Sequence, residues 1–154
     1  MGAIIQVVQV TKTDAFQTAA GVWTAVPGLS LAITPSSVLN QIILLMKLNL
    51  ASDGSSGVAY KLQRNGADID IGDALGVRTQ ASGVSFGTVA AVDSGMSVNE
   101  TFLDSPASVA AVTYDVYVFR GASANVSVNR ANAATDSANF YRTTSNLILM
   151  EFQP

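Results

Sequence analysis

The most regular alternation of apolar residues in the chain lies at residues 41–50, which read QIILLMKLNL. A β-strand points successive side chains to opposite faces, so every second residue shares a face. We expect one face to fill a core with Ile42, Leu44, Met46, Leu48 and Leu50. On the other face, Ile43 and Leu45 interrupt the polar residues that a solvated surface would carry. The pattern therefore predicts a strand whose centre is covered on both sides.

Three further segments, residues 4–12, 112–120 and 146–152, also carry apolar residues on both faces. In a jelly roll, the first, the last and two internal strands can lie side by side, so we expect these three strands and 41–50 to share one sheet. The outward face of that sheet would then be apolar and available for association between copies of the chain. The predicted interface consists of Ile5, Val7, Ile43, Leu45, Tyr117, Phe119, Leu147 and Leu149.

The remaining chain reads as short strands separated by turns, with no convincing helix. Alternation or β-branched residues predict strands at 22–26, 29–34, 58–63, 69–71, 84–89, 96–103 and 124–130. Pro27-Gly28 and Asn65-Gly66 supply turn signals between them. Eight to ten such strands predict one domain over residues 1–154, an all-β antiparallel sandwich of the jelly-roll type.

Composition adds an argument for association. Charged residues make up 12% of the chain and hydrophobic residues 49%, whereas soluble domains typically have about 25% charged residues. The longest aliphatic run, 42–46, is far shorter than the roughly 20 residues of a transmembrane helix, so we expect no membrane insertion. We therefore favour burial of surface by oligomerisation. The alternative is that a loop such as 13–21 covers the apolar sheet within the monomer.

Missing residue types exclude several functions. The chain has no Cys and no His, which removes thiolate nucleophiles, Ser-His-Asp triads and ordinary zinc sites. We expect a protein that is not an enzyme and that has no cofactor. The net charge of -3, with basic residues scattered singly, argues against nucleic acid as a partner. The first ten residues lack the features of a secretory signal, so we expect synthesis in the cytoplasm.

Two small groups of residues suggest ligands. Asp68, Asp70 and Asp73 could offer oxygen ligands to Ca²⁺, with Asp68 and Asp70 on one face of a short strand. The EF-hand spacing is absent, so we favour a solvated strand edge and no metal. Tyr114, Tyr117 and Phe119 could form a platform for a carbohydrate, but aromatic residues on a strand more often belong to a core or an interface.

Short phrases in fixed order resemble a module of tailed-bacteriophage virion proteins, found in capsid decoration proteins and tail fibres. They are VTKTD (10–14) with Trp23, PGLS (27–30), ITPSS (33–37), RNG (64–66), IGDALGVR (71–78), FLDSP (102–106), VNR (128–130), TSNL (144–147) and LME (149–151). The resemblance spans nearly the whole chain. It implies a fold similar to the trimeric jelly rolls of the tumour-necrosis-factor and C1q type, in which the sheet of first, last and two internal strands lines the threefold axis.

The resemblance implies a structural role in a virion. A tail fibre normally has an attachment domain and a shaft before its head, and the first predicted strand begins close to Met1. We therefore expect a capsid decoration, or cement, protein, which binds the major capsid protein as a homotrimer on the capsid surface. A tail-fibre or receptor-binding head is the alternative, and a carbohydrate-binding module is a more remote one.

Overall fold

The computed structural model describes residues 2–19, 21–52, 57–85, 95–121, 125–131 and 136–154. These residues form eleven strands and no helix, and so no helix that could cross a membrane. In chain order the strands are β1 (Ala3–Lys12), β2 (Phe16–Thr18), β3 (Thr24–Ile33), β4 (Gln41–Ser52), β5 (Val58–Arg64), β6 (Ala67–Ile69), β7 (Gly83–Ser85), β8 (Met96–Asp104), β9 (Val112–Phe119), β10 (Val126–Val128) and β11 (Ser145–Gln153).

The strands form two antiparallel sheets that pack on one core, which confirms the predicted antiparallel β-sandwich with jelly-roll topology. Sheet I has the order β1-β11-β4-β10-β2, with β8 paired to the other edge of β4. Sheet II has the order β3-β9-β5-β6, with β7 also paired to β5. The central strand of sheet I is β4, which pairs with β8, β10 and β11.

One predicted sheet partner is wrong. The strand at 112–120 is β9, and it lies between β3 and β5 in sheet II, not beside β1, β4 and β11. The second internal strand of sheet I is β8 instead. Alternation identifies the two faces of a strand, but it carries no information about the sheet in which the strand pairs.

The core confirms the predicted inward row of β4. Ile42, Leu44 and Leu48 have no exposed surface, and Met46 and Leu50 are 3% exposed. They pack against inward residues of sheet II, including Leu62, Tyr114 and Val116. A strand that packs one face on a second sheet needs an apolar side chain at every second position of that face, and β4 supplies one from Ile42 to Leu50.

The predicted faces of the last strand are reversed. Leu149 pairs with Leu44 and Leu147 with Met46, and directly opposite residues of a sheet share a face. Leu147 and Leu149 are therefore core residues with no exposed surface, not interface residues. Ile148, Met150 and Phe152 occupy the outward face. Both sets of residues in this strand are apolar, so periodicity did not distinguish them.

Other boundaries differ in detail. The two strands expected around Pro27-Gly28 are a single strand, β3, whose register shifts between Ala25 and Ser30. Gly28 has a φ of 80°, which suits glycine and makes the chain bulge rather than turn back. The strand predicted at 69–71 is instead β6, at Ala67–Ile69. It ends there because Asp70 has a φ of 48°, which is not an extended conformation. Residues 86–89 of the predicted strand 84–89, and residue 124 of 124–130, lie outside the described part of the chain.

Candidate assembly face

The outward surface of sheet I is apolar across four neighbouring strands, β1, β11, β4 and β8. Strand pairing aligns Val7, Met150, Ile43 and Leu103 in one row across the sheet. In the adjacent row, Ile148 and Leu45 lie between the polar residues Gln9 and Thr101. On the opposite side of the first row, Ile4 pairs with Phe152. We define the apolar face as Ile4, Ile5, Val7, Ile43, Leu45, Leu103, Ile148, Met150 and Phe152.

The apolar face is accessible to solvent in the single chain. Val7 is 57% exposed and Leu103 51% exposed, while Ile43 and Leu45 between them are half-buried by their neighbours. The next row along the sheet is polar and contains Thr11, Asn146, Lys47 and Asn99. A contiguous exposed apolar patch with a polar border is typical of a protein interaction surface.

The described residues of the loop 13–21, which could have covered this face, lie elsewhere. Within the predicted loop 13–21, Phe16–Thr18 forms strand β2 and pairs with Val126–Val128 at the edge of sheet I. Asn129 anchors the start of this segment by donating hydrogen bonds from Nδ2 to the carbonyls of Lys12 (2.9 Å) and Asp14 (3.2 Å). The described part of the segment therefore extends the sheet instead of folding over its outward surface.

The eight residues of the predicted interface fall in three places. Ile5, Val7, Ile43 and Leu45 lie on the apolar face, Leu147 and Leu149 lie in the core, and Tyr117 and Phe119 lie on the outward surface of sheet II. Five members of the face lie outside the predicted interface: Ile4, Leu103, Ile148, Met150 and Phe152. The register of β11 and β8 against β4 identifies four of them, and the pairing of β1 with β11 across a register shift identifies Ile4. Both are properties of pairing between distant segments.

A buried carboxylate secures the strand behind the face. Glu151 of β11 points inward and is 2% exposed. Its Oε1 accepts hydrogen bonds from the Ser36 amide (2.6 Å), the Ser36 hydroxyl (2.8 Å) and Asn40 Nδ2 (2.6 Å). Burial acts to raise the pKa of Glu151, but the hydrogen bonds from Asn40 and Ser36 outweigh it, so the pKa lies below its ordinary value. The ionised carboxylate thus joins β11 to the segment that precedes β4.

A second buried carboxylate joins the two sheets. Asp104, at the end of β8, is 6% exposed and accepts two hydrogen bonds from Arg64 Nη1 at 2.7 and 2.9 Å. It also accepts one from the Tyr114 hydroxyl at 2.6 Å. Burial and then this hydrogen bond raise the pKa of Tyr114, because both disfavour the phenolate. Tyr114 is therefore a core residue that connects β9 to β8.

The three aspartates that suggested Ca²⁺ do not converge. Asp68 accepts hydrogen bonds from Lys61 and Gln63, and the Lys61 bond is the largest cause of its lowered pKa. Asp70 lies past the end of β6, where burial and then the nearby Glu100 raise its pKa. Among the described residues, no three His, Cys, Asp or Glu side chains are grouped as metal ligands.

An aromatic cluster occupies the outward surface of sheet II. Phe119 and Trp23 pack with ring centroids 5.1 Å apart, and Tyr117 is paired in register with Ala25 and Lys61. Tyr114 is separated from them because it faces the core. The cluster and the apolar face thus lie on opposite surfaces of the sandwich.

Comparison of the chain with protein-family models and with curated proteins gave no match in either case.

Proposed function

We propose that this protein is a structural protein that assembles as a homotrimer through the apolar face of sheet I. The proposal is supported by the outward surface of sheet I, which is apolar across four strands. Its residues on β1 and β8 are exposed in the described chain, and those on β4 and β11 are half-buried. Its strands are the first, the last and two internal ones, which is the set that lines the threefold axis in the trimeric jelly rolls that this sequence resembles. Packing three such faces together would remove the patch from water.

The proposed biological role is that of a capsid decoration protein of a tailed bacteriophage. The ordered sequence phrases support a virion module, and the low proportion of charged residues supports a chain that functions inside an assembly. A trimer could engage three equivalent sites on the major capsid protein at a threefold or quasi-threefold position. Its avidity would then exceed the affinity of any single contact.

Two measurements test this proposal at separate levels. Light scattering of the purified protein at micromolar concentration should give three times the chain mass of 15.9 kDa. Immunogold labelling of virions should mark the whole capsid, and quantitative mass spectrometry should find many copies per particle. A monomer in solution would contradict the assembly mode. Labelling confined to the tail would contradict the decoration role and favour a tail-fibre head.

A further inference from the structure

The outward surface of sheet II carries a second organised group of side chains. We define the aromatic platform as Trp23, Tyr117 and Phe119 together with Lys61, Gln63 and Asp68. All three aromatic residues are half-buried and keep part of their surface accessible to solvent. Strand pairing fixes the spacing of Tyr117 and Phe119 on β9, and Trp23 precedes β3, the neighbouring strand. The platform is remote from the apolar face because the core of the sandwich lies between them.

An ion pair between buried Lys61 and exposed Asp68 holds the polar part of the platform in one position. Lys61 is 8% exposed, with its Nζ 4.9 Å from the Trp23 ring centroid and 5.6 Å from that of Tyr117. The same nitrogen lies 2.8 Å from Asp68 Oδ1 and 3.0 Å from Oδ2. Gln63 Nε2 donates to Asp68 Oδ1 at 2.8 Å. Two partners therefore orient the Asp68 carboxylate, whose side chain is 36% exposed and can accept further hydrogen bonds.

These contacts restrict the chemical class of ligand that the aromatic platform can bind. A quaternary ammonium ligand would need the cation position between the rings, and Lys61 occupies that position. An anionic ligand would meet the exposed carboxylate of Asp68. A neutral saccharide fits both the rings and the carboxylate, because its C–H face can lie on the accessible part of the aromatic rings while its hydroxyl groups donate to Asp68.

We propose that the aromatic platform binds a neutral saccharide. Half-buried rings on a sheet surface make a shallow, open site, so we expect a Kd of roughly millimolar order for a short oligosaccharide. A trimer would carry three platforms on its outer surface, and a polysaccharide with repeated units would bind with higher avidity. This inference does not depend on the proposed assembly, since each platform is complete within one chain.

The chain provides its own reporter, because Trp23 is its single tryptophan. Neutral tetrasaccharides of glucose, mannose, galactose and N-acetylglucosamine should be titrated while Trp23 emission is recorded. We expect at least one to change the emission saturably. Tyr117→Ala should weaken its binding at least about tenfold. Tyr141→Ala, which removes a 71% exposed tyrosine outside the platform, should leave binding unchanged.

Saturation-transfer NMR extends the test to Trp23→Ala, which lacks the fluorescent reporter and should also lose binding. Circular dichroism melting of each variant establishes that it is folded. Leu45→Asp, on the apolar face, should bind the saccharide like the wild-type chain even if its assembly is lost. An absence of saturable change up to roughly 10 mM saccharide would overturn the proposal. Undiminished binding by folded Tyr117→Ala and Trp23→Ala would overturn it as well.

Discussion

At the scale of single residues, Glu151 makes the stability of the fold depend on pH. Its pKa in the folded protein lies below the ordinary value of 4.5, so the fold favours the carboxylate. The resulting stabilisation is fully present above about pH 4.5 and is lost as the pH falls through the lower pKa of the folded protein. We expect the free energy of unfolding in urea to decline over that acid range.

Glu151→Gln should remove part of this dependence and lower stability at neutral pH. In the wild-type chain, the Glu151 carboxylate accepts hydrogen bonds from three donors. The amide of Gln would present to them either a nitrogen, which is itself a donor, or a neutral oxygen, and we expect this to lower the free energy of unfolding by about 1–3 kcal/mol. Urea unfolding at pH 7 and pH 4 measures both effects. Asp136→Asn is the control, because Asp136 is exposed, and its free energy of unfolding should match that of the wild-type chain at both pH values. If the free energy of unfolding of Glu151→Gln fell between pH 7 and pH 4 as much as that of the wild-type chain, other carboxylates would be its cause.

The role of Glu151 was not predictable from the sequence. Its partner Ser36 is 115 positions away, and an isolated Glu in an apolar strand resembles any solvent-facing residue. Alternation places Tyr117 and Phe119 on one face of their strand. Trp23 packs beside Phe119 only because β3, which follows Trp23, pairs with β9. Residue chemistry is visible in a sequence, whereas its partners are set by the packing of distant segments.

At the scale of elements, the period of two predicted the inward row of β4 correctly from Ile42 to Leu50, whereas it grouped the residues of β11 correctly but reversed its faces. In β4, the inward row is uninterrupted and the outward row is apolar only at its centre, so the faces were distinguishable. In β11, both rows are apolar, and pairing with β4 decided that Leu147 and Leu149 face the core. Alternation likewise could not predict that β8 lies in sheet I and β9 in sheet II.

Adjacent residues of β4 provide a matched test of the two faces. Leu44→Ala should lower the free energy of unfolding by about 2–5 kcal/mol, because Leu44 is fully buried in the core. Leu45→Asp should instead dissociate the assembly and leave a folded monomer, because Leu45 lies on the apolar face and an unpaired charge cannot be buried there at low cost. Light scattering and urea unfolding of both variants separate these effects. An intact oligomer of Leu45→Asp would show that the apolar face is not the interface.

At the scale of the whole molecule, an apolar interface couples folding to association. If the folded chains bind each other and the unfolded chains do not, the melting temperature should rise with protein concentration. The apolar face contains no charged residue. About 1 M NaCl screens exposed ion pairs, so it should not dissociate an oligomer that this face holds together. Sulfate should strengthen the assembly, because it favours the burial of apolar surface.

Calorimetry over a hundredfold range of concentration, with light scattering at low and high salt, measures these responses. Leu45→Asp is the control, since a monomeric chain should melt at one temperature regardless of concentration. Loss of the oligomer in NaCl would indicate that ion pairs hold the chains together, and the polar row with Lys47 would then be the first place to look for them. A salt-resistant oligomer whose melting temperature rises with concentration would instead identify hydrophobic burial as the force that links the chains.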